Sequence, residues 1–421
     1  MKILLIQHHN FLNGSGGTEK ICTFIANGLA GLGHEIEIAT HQNIKGKPVF
    51  PLKSNITVTN IFDENTPQIE LKPVFNYTGL NLLKWIFYKI QKKITKRENR
   101  KLIKKFGGAD GLLKYNLRFR ANQWKNYIEI QKPDLIITMS IGSLLEITFE
   151  NEYKIPIVNS VNGRPDYDYS DILWYRSPFE ITLLKNAYRH LAGIQVLFES
   201  YKHFLPETFN GRAEIIPNPV PQFKDEDIVN HKTAKEIYKI INIGTLASDC
   251  KQQHIAIEAF AAVSEKYPNW ELHFWGEGSD FEFLDNKIKM LHLQNRIFLN
   301  GFTNDPLSKL KESDIFIFPS KYEGFPLALT EAISSGLPAL GFSACSGVNE
   351  LIDHNQNGFL AKDTDELTMY IERLIINTDL RSEMGRNGHL KMRQFAPESI
   401  ITDWDSFLSH CKENYKEQYN I

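Results

Sequence analysis

Cysteine is scarce in this 421-residue chain, and the few cysteines are scattered. The four of them, at positions 22, 250, 345 and 411, show no metal-ligand spacing. This pattern fits reduced, unpaired thiols in a cytoplasmic protein better than a disulfide framework. No apolar run reaches the roughly 18 residues that a membrane-spanning helix needs. The apolar run in residues 1–6 is too short for a secretory signal.

An excess of charge of one sign is also missing. The 48 Lys and Arg residues nearly balance the 50 Asp and Glu residues, and the formal net charge is −2. The whole chain therefore exerts no general attraction on nucleic acid or membrane, and such a partner has to be recognised by a local patch. No nucleic-acid-binding module is recognisable, so we predict no nucleic-acid partner.

Short apolar runs alternate with helical or loop segments through most of the chain. The runs predicted as strands are residues 2–6, 35–39, 134–137, 155–158, 193–198, 214–216, 239–243, 271–275, 296–299, 315–318 and 338–341. Such alternation predicts an α/β fold with parallel, doubly wound sheets. The length is sufficient for two or three domains with sizeable cores.

A proline-rich break separates the two halves of this pattern. Residues 217–221 read PNPVP and are followed by a mostly polar segment, which is typical of an interdomain hinge. We therefore predict a first Rossmann-like domain at residues 1–221 and a second at 222–398. A C-terminal helix at 399–421 is predicted to pack back toward the first domain. Two such domains face each other across a deep cleft at the carboxyl ends of their strands, where ligands of these folds bind.

Residues 318–336, FPSKYEGFPLALTEAISSG, form a strand, loop and helix unit at this predicted cleft. Pro326 fits the first turn of a helix about three turns long, and Gly336 ends it. The start of a helix offers free backbone N–H groups and a positive dipole end, which suit an anionic, hydroxyl-rich ligand. Glu323 precedes this helix, and Glu331 lies within it eight positions later.

A glycine-rich loop follows the first predicted strand. Gly16 and Gly17 allow the backbone to approach a phosphate or a sugar closely. The dinucleotide fingerprint fits poorly because Glu19 occupies its third glycine position, which argues against NAD. A tight turn without any ligand is the alternative interpretation.

Residues 81–105 differ from the rest of the chain because they carry ten Lys and Arg residues but only one acid, Glu98. Leu82, Leu83, Trp85, Ile86, Phe87, Ile90 and Ile94 supply an apolar, aromatic side to this segment. A basic helix with aromatic side chains is what an anionic membrane surface attracts. The alternative is a solvated helix whose apolar stripe packs on the sheet.

The residues around both glutamates resemble a known family, the retaining GT-B glycosyltransferases of family four. The strongest signature is the E-x7-E element, here Glu323 and Glu331 within F-P-S-x-x-E-G-F-P-x-x-x-x-E-A-x-x-x-G. Supporting matches lie at residues 16–20, 216–219, 276–278, 300–302, 347–352 and 357–358. The resemblance covers nearly the whole chain and is most specific from residue 213 to 361.

The resemblance implies an activity and a set of partners. The chain would transfer a sugar, with retention of anomeric configuration, from a UDP- or GDP-sugar to a glycan or lipid-linked acceptor. Such transfer serves cell-surface polysaccharide biosynthesis, including lipopolysaccharide or capsule. It would need no cofactor and no metal, and the enzyme would be cytoplasmic and peripheral on the inner face of the membrane. The alternatives are a sugar-nucleotide epimerase or phosphorylase of the same fold, and a non-catalytic protein that binds sugar nucleotides or glycans.

The resemblance also assigns roles to individual residues. Glu331 would bind the ribose hydroxyls, Glu323 would contact the transferred sugar, and Lys251, seven residues after Gly244, would bind the diphosphate. Glu323 and Lys251 are therefore the predicted catalytic residues. The predicted donor-binding set is Gly16, Gly17, Gly244, Thr245, Lys251, Gly301, Phe302, Glu323, Gly324, Phe325, Pro326, Leu327 and Glu331, with Gly301 and Phe302 bracketing the base.

Two positions depart from the family pattern. Thr245 stands where the family has an arginine, and Asn162 stands where it usually has a histidine on the acceptor side. Asn162 and Arg164 are therefore the acceptor-side candidates. D-x-D sequences begin, among other places, at Asp166, Asp363 and Asp403. They resemble the metal motif of the other glycosyltransferase fold, but the pattern is short and frequent, so we predict loop or surface acids there.

Overall fold

The computed structural model describes residues 1–65, 68–77, 81–173 and 175–419. For residues 418 and 419 it describes only the backbone. Residues 420 and 421, the end of the predicted C-terminal segment, lie outside the described residues. The four cysteines are all unpaired, as the sequence predicted.

The first domain is an α/β unit. Its strands are β1 Lys2–Ile6, β2 Glu35–Thr40, β3 Thr57–Asn60, β4 Leu135–Thr138, β5 Ile157–Ser160, β6 Gly193–Val196 and β7 Arg212–Ile215. Its helices are α1 Gly17–Gly31, α2 Leu82–Lys105, α3 Ala109–Gln131, α4 Ile141–Thr148, α5 Pro165–Asp168 and α6 Pro178–Ala187.

The second domain repeats this architecture. Its strands are β8 Tyr238–Ile243, β9 Trp270–Trp275, β10 Ile297–Leu299, β11 Ile315–Phe318, β12 Ala339–Phe342 and β13 Gly358–Ala361. Its helices are α7 Gln253–Ser264, α8 Phe281–Met290, α9 Pro306–Lys311, α10 Leu327–Ser334, α11 Val348–Leu351, α12 Thr364–Ile376 and α13 Thr378–Met392, and α14 Pro397–Tyr419 follows.

Both sheets are parallel and doubly wound. The strand order is β3-β2-β1-β4-β5-β6-β7 in the first sheet and β10-β9-β8-β11-β12-β13 in the second. The order reverses between β1 and β4, where Ile3 pairs with Leu135, and between β8 and β11, where Ile240 pairs with Ile315. The structure thus confirms the predicted pair of Rossmann-like domains. Loops that leave the strands at these two reversal points are where ligands bind in such sheets.

The central strands are buried on both faces, as their continuous apolar sequences predict. All four residues of β4 and all four of β11 are buried. Trp124 on α3 is fully buried in the first domain and is part of a core that continues into the second domain through Phe325. The cleft therefore lies between two sheets whose hydrophobic cores are in contact.

Helix α14 leaves the second domain and packs on the first. Trp404, Phe407 and Leu408 are buried in a core cluster together with residues of α1 and β1. His34 Nε2 lies 2.7 Å from the Asp405 carboxylate, and Lys412 Nζ lies 3.0 Å from that of Asp134. The helix therefore connects the two domains outside the cleft.

Several expectations from the sequence need correction. Strands β3 and β13 were missed because each is a short edge strand, and the sequence of β3, TVTN, contains no apolar run. Helix α10 has eight residues, little more than two turns rather than three, because Pro326 is its N-cap and not its first-turn residue. The boundaries of β1 and β11 match the predicted ones, and those of the other predicted strands differ from them by at most two residues.

Helix α2 forms where the sequence predicted a helix, but its apolar stripe does not pack on the sheet. No residue of α2 is buried, and Leu83 and Phe87 are 78% and 62% exposed. The alternative interpretation of this helix is therefore wrong. No helix within the described ranges is long and apolar enough to cross a membrane.

Candidate active site

A cavity of about 450 Å³ lies between the two domains. The loop after β1 contributes residues 15–18 and Lys20, and the loop after β8 contributes Gly244, Thr245 and Lys251. The third wall is the loop after β11 together with the start of α10, residues 323–328 and Glu331. The cavity therefore lies at the strand-order reversal points of both sheets.

Lys251 and Glu323 form an ion pair in the wall of this cavity. Lys251 Nζ lies 2.6 Å from Glu323 Oε1, and the Glu323 side chain is only 9% exposed. Burial lowers the pKa of Lys251, but the adjacent Glu323 carboxylate more than offsets this and raises the pKa overall. The ammonium of Lys251 therefore stays charged at neutral pH and can face an anionic ligand.

The backbone fixes the position of this pair. Lys251 lies just before α7, and Gln252 at the N-cap of that helix has a positive φ of 51°. The Lys321 N–H donates to the Cys250 carbonyl at 2.8 Å, which joins the loop that carries Lys251 to the loop that carries Glu323. These two loops are 72 residues apart in sequence.

Glu331 is buried on α10 and forms an ion pair with the opposite domain. Lys20 Nζ, on α1, lies 2.6 Å from Glu331 Oε1, and the Glu331 side chain is 10% exposed. A ligand with hydroxyl groups can replace the lysine as the donor to this carboxylate, while Lys20 stays close to the same cavity. Both glutamates of the predicted motif are thus paired with a lysine.

Helix α10 points its N-terminus into the cavity. Pro326 is the N-cap with an extended backbone, and no side chain caps the helix. The first N–H groups of a helix have no intrahelical partner and carry the positive end of its dipole. A phosphate or a sugar hydroxyl can therefore accept hydrogen bonds there, and its binding stays a prediction.

The two domains meet directly at Gly324. The Tyr201 hydroxyl donates to the Gly324 carbonyl at 2.8 Å. A Cβ atom at Gly324 would lie 2.2 Å from the Asn162 carbonyl oxygen and 2.6 Å from Gly163 Cα. Only glycine permits this approach of the two backbones, which closes one side of the cavity.

The structure brings together most of the predicted site residues. The cavity is lined by Gly16, Gly17, Gly244, Thr245, Lys251, Glu323, Gly324, Phe325, Pro326, Leu327, Glu331 and the acceptor-side candidate Asn162. Gly301 and Phe302 do not line it. They follow β10, where the Gly276 N–H donates to the Gly301 carbonyl at 2.8 Å, and Phe302 is 64% exposed. Their contact with a base stays a prediction.

Arg164 is the other predicted residue outside the cavity. Its guanidinium forms a bidentate pair with Asp166 at 2.6 and 2.8 Å and stacks over the rings of Tyr167 and Phe204. These contacts hold the guanidinium against its own domain. A role for Arg164 toward the acceptor stays a prediction.

A second cavity of about 580 Å³ opens in the first domain beside the first cavity. Asn162 and Thr18 line both cavities. The second one is lined by His8 and His9 after β1, and by Arg120 and Glu146, whose side chains lie 2.7 Å apart and are 17% and 5% exposed. Sequence analysis missed these residues, although the position of His8 and His9 at the end of a central strand was a usable signal.

The titratable groups of the second cavity are perturbed by burial. Burial lowers the pKa of His8 well below its ordinary value, and the neighbouring His9 lowers it further. Burial also lowers the pKa of His9, against the opposing effect of Glu146. Asp168 has its pKa raised to about 6 by burial, although Arg176 opposes the shift. At neutral pH both imidazoles are therefore neutral and can accept or donate a hydrogen bond.

The described part of the chain contains no cluster of three or more His, Cys, Asp or Glu side chains that could hold a metal ion. The D-x-D residues have other partners: Asp166 pairs with Arg164, Asp363 caps α12, and Asp405 contacts His34. Asp168 is not the predicted surface acid, because it lines the second cavity.

Comparison with known proteins identifies the second domain. Residues 223–391 match the family model described as glycosyl transferases group 1. The second domain belongs to this family. An uncharacterized glycosyltransferase of Haemophilus influenzae is 27% identical to the chain over 409 residues, which are 94% of this chain and 97% of that protein. The similarity to this relative thus extends through both domains.

A second relative and one solved structure add detail. The poly(ribitol-phosphate) alpha-N-acetylglucosaminyltransferase of Staphylococcus aureus is 27% identical over 304 residues, 69% of this chain and 58% of that protein. A crystal structure of an S. aureus TarM variant in complex with fondaparinux, α-GlcNAc-glycerol and UDP has a TM-score of 0.70 at 16% identity, over 97% of this chain and 100% of that chain. This likeness shows the fold: the chain has the GT-B architecture.

Proposed function

We propose that this protein is a retaining glycosyltransferase that moves a sugar from a nucleotide-sugar to a hydroxyl group of a glycan or lipid-linked acceptor. One observation carries the proposal: the cleft cavity places the Lys251–Glu323 pair and Glu331 around the N-terminus of α10. These groups suit the charged, hydroxyl-rich parts of a sugar nucleotide. The S. aureus structure contains UDP, which favours a UDP-sugar over a GDP-sugar as the donor.

The donor is proposed to lie along the second domain. Glu331 accepts hydrogen bonds from the ribose hydroxyls, and the N–H groups at the start of α10 bind the distal phosphate and the sugar. Glu323 contacts the transferred sugar, and Lys251 contacts the diphosphate. Gly16 and Gly17 allow the backbone of the first domain to approach the donor from the other side of the cavity.

The proposed reaction breaks the bond between the anomeric carbon and the diphosphate oxygen and forms a bond to the acceptor oxygen on the same face. The acceptor proton passes to the departing phosphate oxygen. The Lys251 ammonium offsets the negative charge that develops on the leaving group, which is the kind of electrostatic contact that lowers such a barrier. We propose that no metal ion takes part, because this lysine and the helix dipole supply the positive charge.

The acceptor is proposed to enter through the second cavity. It is wide, it lies in the first domain, and it shares Asn162 with the donor cavity. The S. aureus relative is a transferase for poly(ribitol-phosphate), so we propose a cell-surface polysaccharide or its lipid-linked precursor, including lipopolysaccharide or capsule. A cytoplasmic enzyme, peripheral on the inner face of the membrane, would meet such an acceptor where it is assembled.

Release of nucleoside diphosphate from a UDP-sugar tests the function. We expect release to depend on an added glycan or glycerol-phosphate acceptor, because water is a poor substitute for a positioned acceptor hydroxyl. Conversion of the donor sugar without an acceptor would indicate an epimerase instead. Binding of UDP with no turnover under any condition would indicate a non-catalytic sugar-nucleotide-binding protein.

A further inference from the structure

Helix α2 turns a mixed polar and apolar face toward the protein and a stripe of large apolar side chains toward solvent. The half-buried residues are Tyr88, Lys92, Thr95, Asn99, Leu102 and Ile103, and their spacing, mostly of three and four, places them on one face of the helix. The Asn99 amide donates to the Lys72 carbonyl at 2.9 Å, and the rings of Tyr88 and Tyr77 stack at 5.3 Å. These contacts fix which side of α2 faces the rest of the chain.

The opposite face carries a stripe of large apolar side chains. Leu83, Phe87, Ile90 and Ile94 follow the same spacing of three and four and are 78%, 62%, 56% and 53% exposed. A helix on the surface of a globular protein normally turns its apolar stripe toward the core. The apolar stripe of α2 faces solvent instead of the core, so it is available for a contact outside the chain.

The same stripe becomes basic in the second half of the helix. Continuing the spacing from Ile94, the next positions are Arg97, Lys101 and Lys104, all exposed. Glu98 is the one acid of α2, and it already pairs with Lys72 at 2.9 Å. The outward face thus carries large apolar side chains in the first half of the helix and exposed basic side chains in the second half.

We propose that this outward face of α2, defined by Leu83, Phe87, Ile90, Ile94, Arg97, Lys101 and Lys104, docks on an anionic lipid bilayer. The apolar half enters the boundary between headgroups and acyl chains, and the basic half binds lipid phosphates. Charge complementarity selects this partner, because lipid phosphates neutralise the basic half, whereas a second copy of α2 would offer it only Glu98, which already pairs with Lys72. The surface lies outside the donor cavity, so the proposal holds whether or not the transfer reaction does.

Vesicle co-sedimentation of the full chain, without donor or acceptor, tests the proposal. We expect strong binding to vesicles of phosphatidylcholine mixed with phosphatidylglycerol, weak binding to phosphatidylcholine alone, and loss of binding as salt is raised. The triple variant Arg97→Gln, Lys101→Gln, Lys104→Gln should bind the anionic vesicles about 100-fold more weakly, because each basic side chain near the surface contributes roughly fivefold.

A second triple variant tests the apolar half. Leu83→Gln, Phe87→Gln, Ile90→Gln preserves helix propensity and should also abolish vesicle binding. The matched control is Met369→Gln, Ile376→Gln, Leu390→Gln, which removes exposed apolar side chains from the second domain and should bind normally. Circular dichroism verifies that each variant is folded.

Three results would each overturn the proposal. The first is equal binding of the intact chain to neutral and anionic vesicles. The second is an equal loss of binding in the control variant. The third is sedimentation velocity without lipid that shows an oligomer of the intact chain and a monomer of the Leu83, Phe87, Ile90 variant, because a second copy would then cover the stripe.

Discussion

Replacing Lys251 with alanine is expected to reduce the rate of sugar transfer by at least ~100-fold. The ammonium lies in the cavity wall within 2.6 Å of Glu323 and is the positive group that we assign to the donor diphosphate. Its loss removes charge stabilisation at the leaving group and leaves a buried carboxylate without its partner. Both effects oppose departure of a diphosphate, so kcat should fall more than KM rises.

The Lys251–Glu323 ion pair can also be tested by replacing the glutamate. Glu323→Ala should lower transfer by a similar factor, because it removes the contact to the sugar and frees the lysine from its position. The conservative variant Glu323→Gln keeps the shape and should lose less. Lys321→Ala is the matched control: this lysine is close in sequence, its side chain is exposed, and it does not line the cavity. Near-normal transfer rates in both the Lys251 and the Glu323 variant would show that neither residue has the proposed role in the reaction.

Gly324→Ala is expected to reduce transfer at least ~10-fold while the second domain still binds UDP. The added Cβ would lie 2.2 Å from a backbone oxygen of Asn162, and backbone atoms cannot rotate away from it as a side chain can. The two domains must therefore separate slightly at the point where they close the cavity. A misplacement of about 1 Å between reacting groups costs up to about 100-fold in rate.

Gly163→Ala is the control for this prediction. Gly163 belongs to the same interdomain contact, but a Cβ on it would meet only the ring of Tyr167 at an ordinary 3.6 Å. It should transfer sugar at close to the normal rate. Equal activity of the Gly324 variant and the intact chain would mean that this closed contact is not needed for the reaction.

The sequence was sufficient to predict the parts of the structure that local patterns determine. Buried strands such as β4 and β11 are continuous apolar runs, so their positions and the doubly wound architecture could be predicted. The cavity could be anticipated because glycine-rich loops and the E-x7-E motif follow central strands. Edge strand β3 escaped prediction because pairing to one neighbour does not require apolar residues.

Contacts between distant segments could not be predicted. Lys20 and Glu331 are 311 residues apart, and no local pattern indicates that they meet across the cleft. Arg120 and Glu146 form their pair only because α3 packs beside α4 in the folded domain. The outward orientation of the apolar stripe of α2 depends on residues 72 and 77, which contact the inner face of the helix and lie outside it in sequence.

We propose retaining sugar transfer at the Lys251–Glu323 site without a metal ion. Determining the anomeric configuration of the first product tests this proposal most directly. Proton NMR of the reaction of a UDP-α-sugar with acceptor, in the presence of EDTA, would record it. We expect an α-linked product formed at the rate seen without EDTA. A β-linked product, or no product until a divalent cation is restored, would contradict the account.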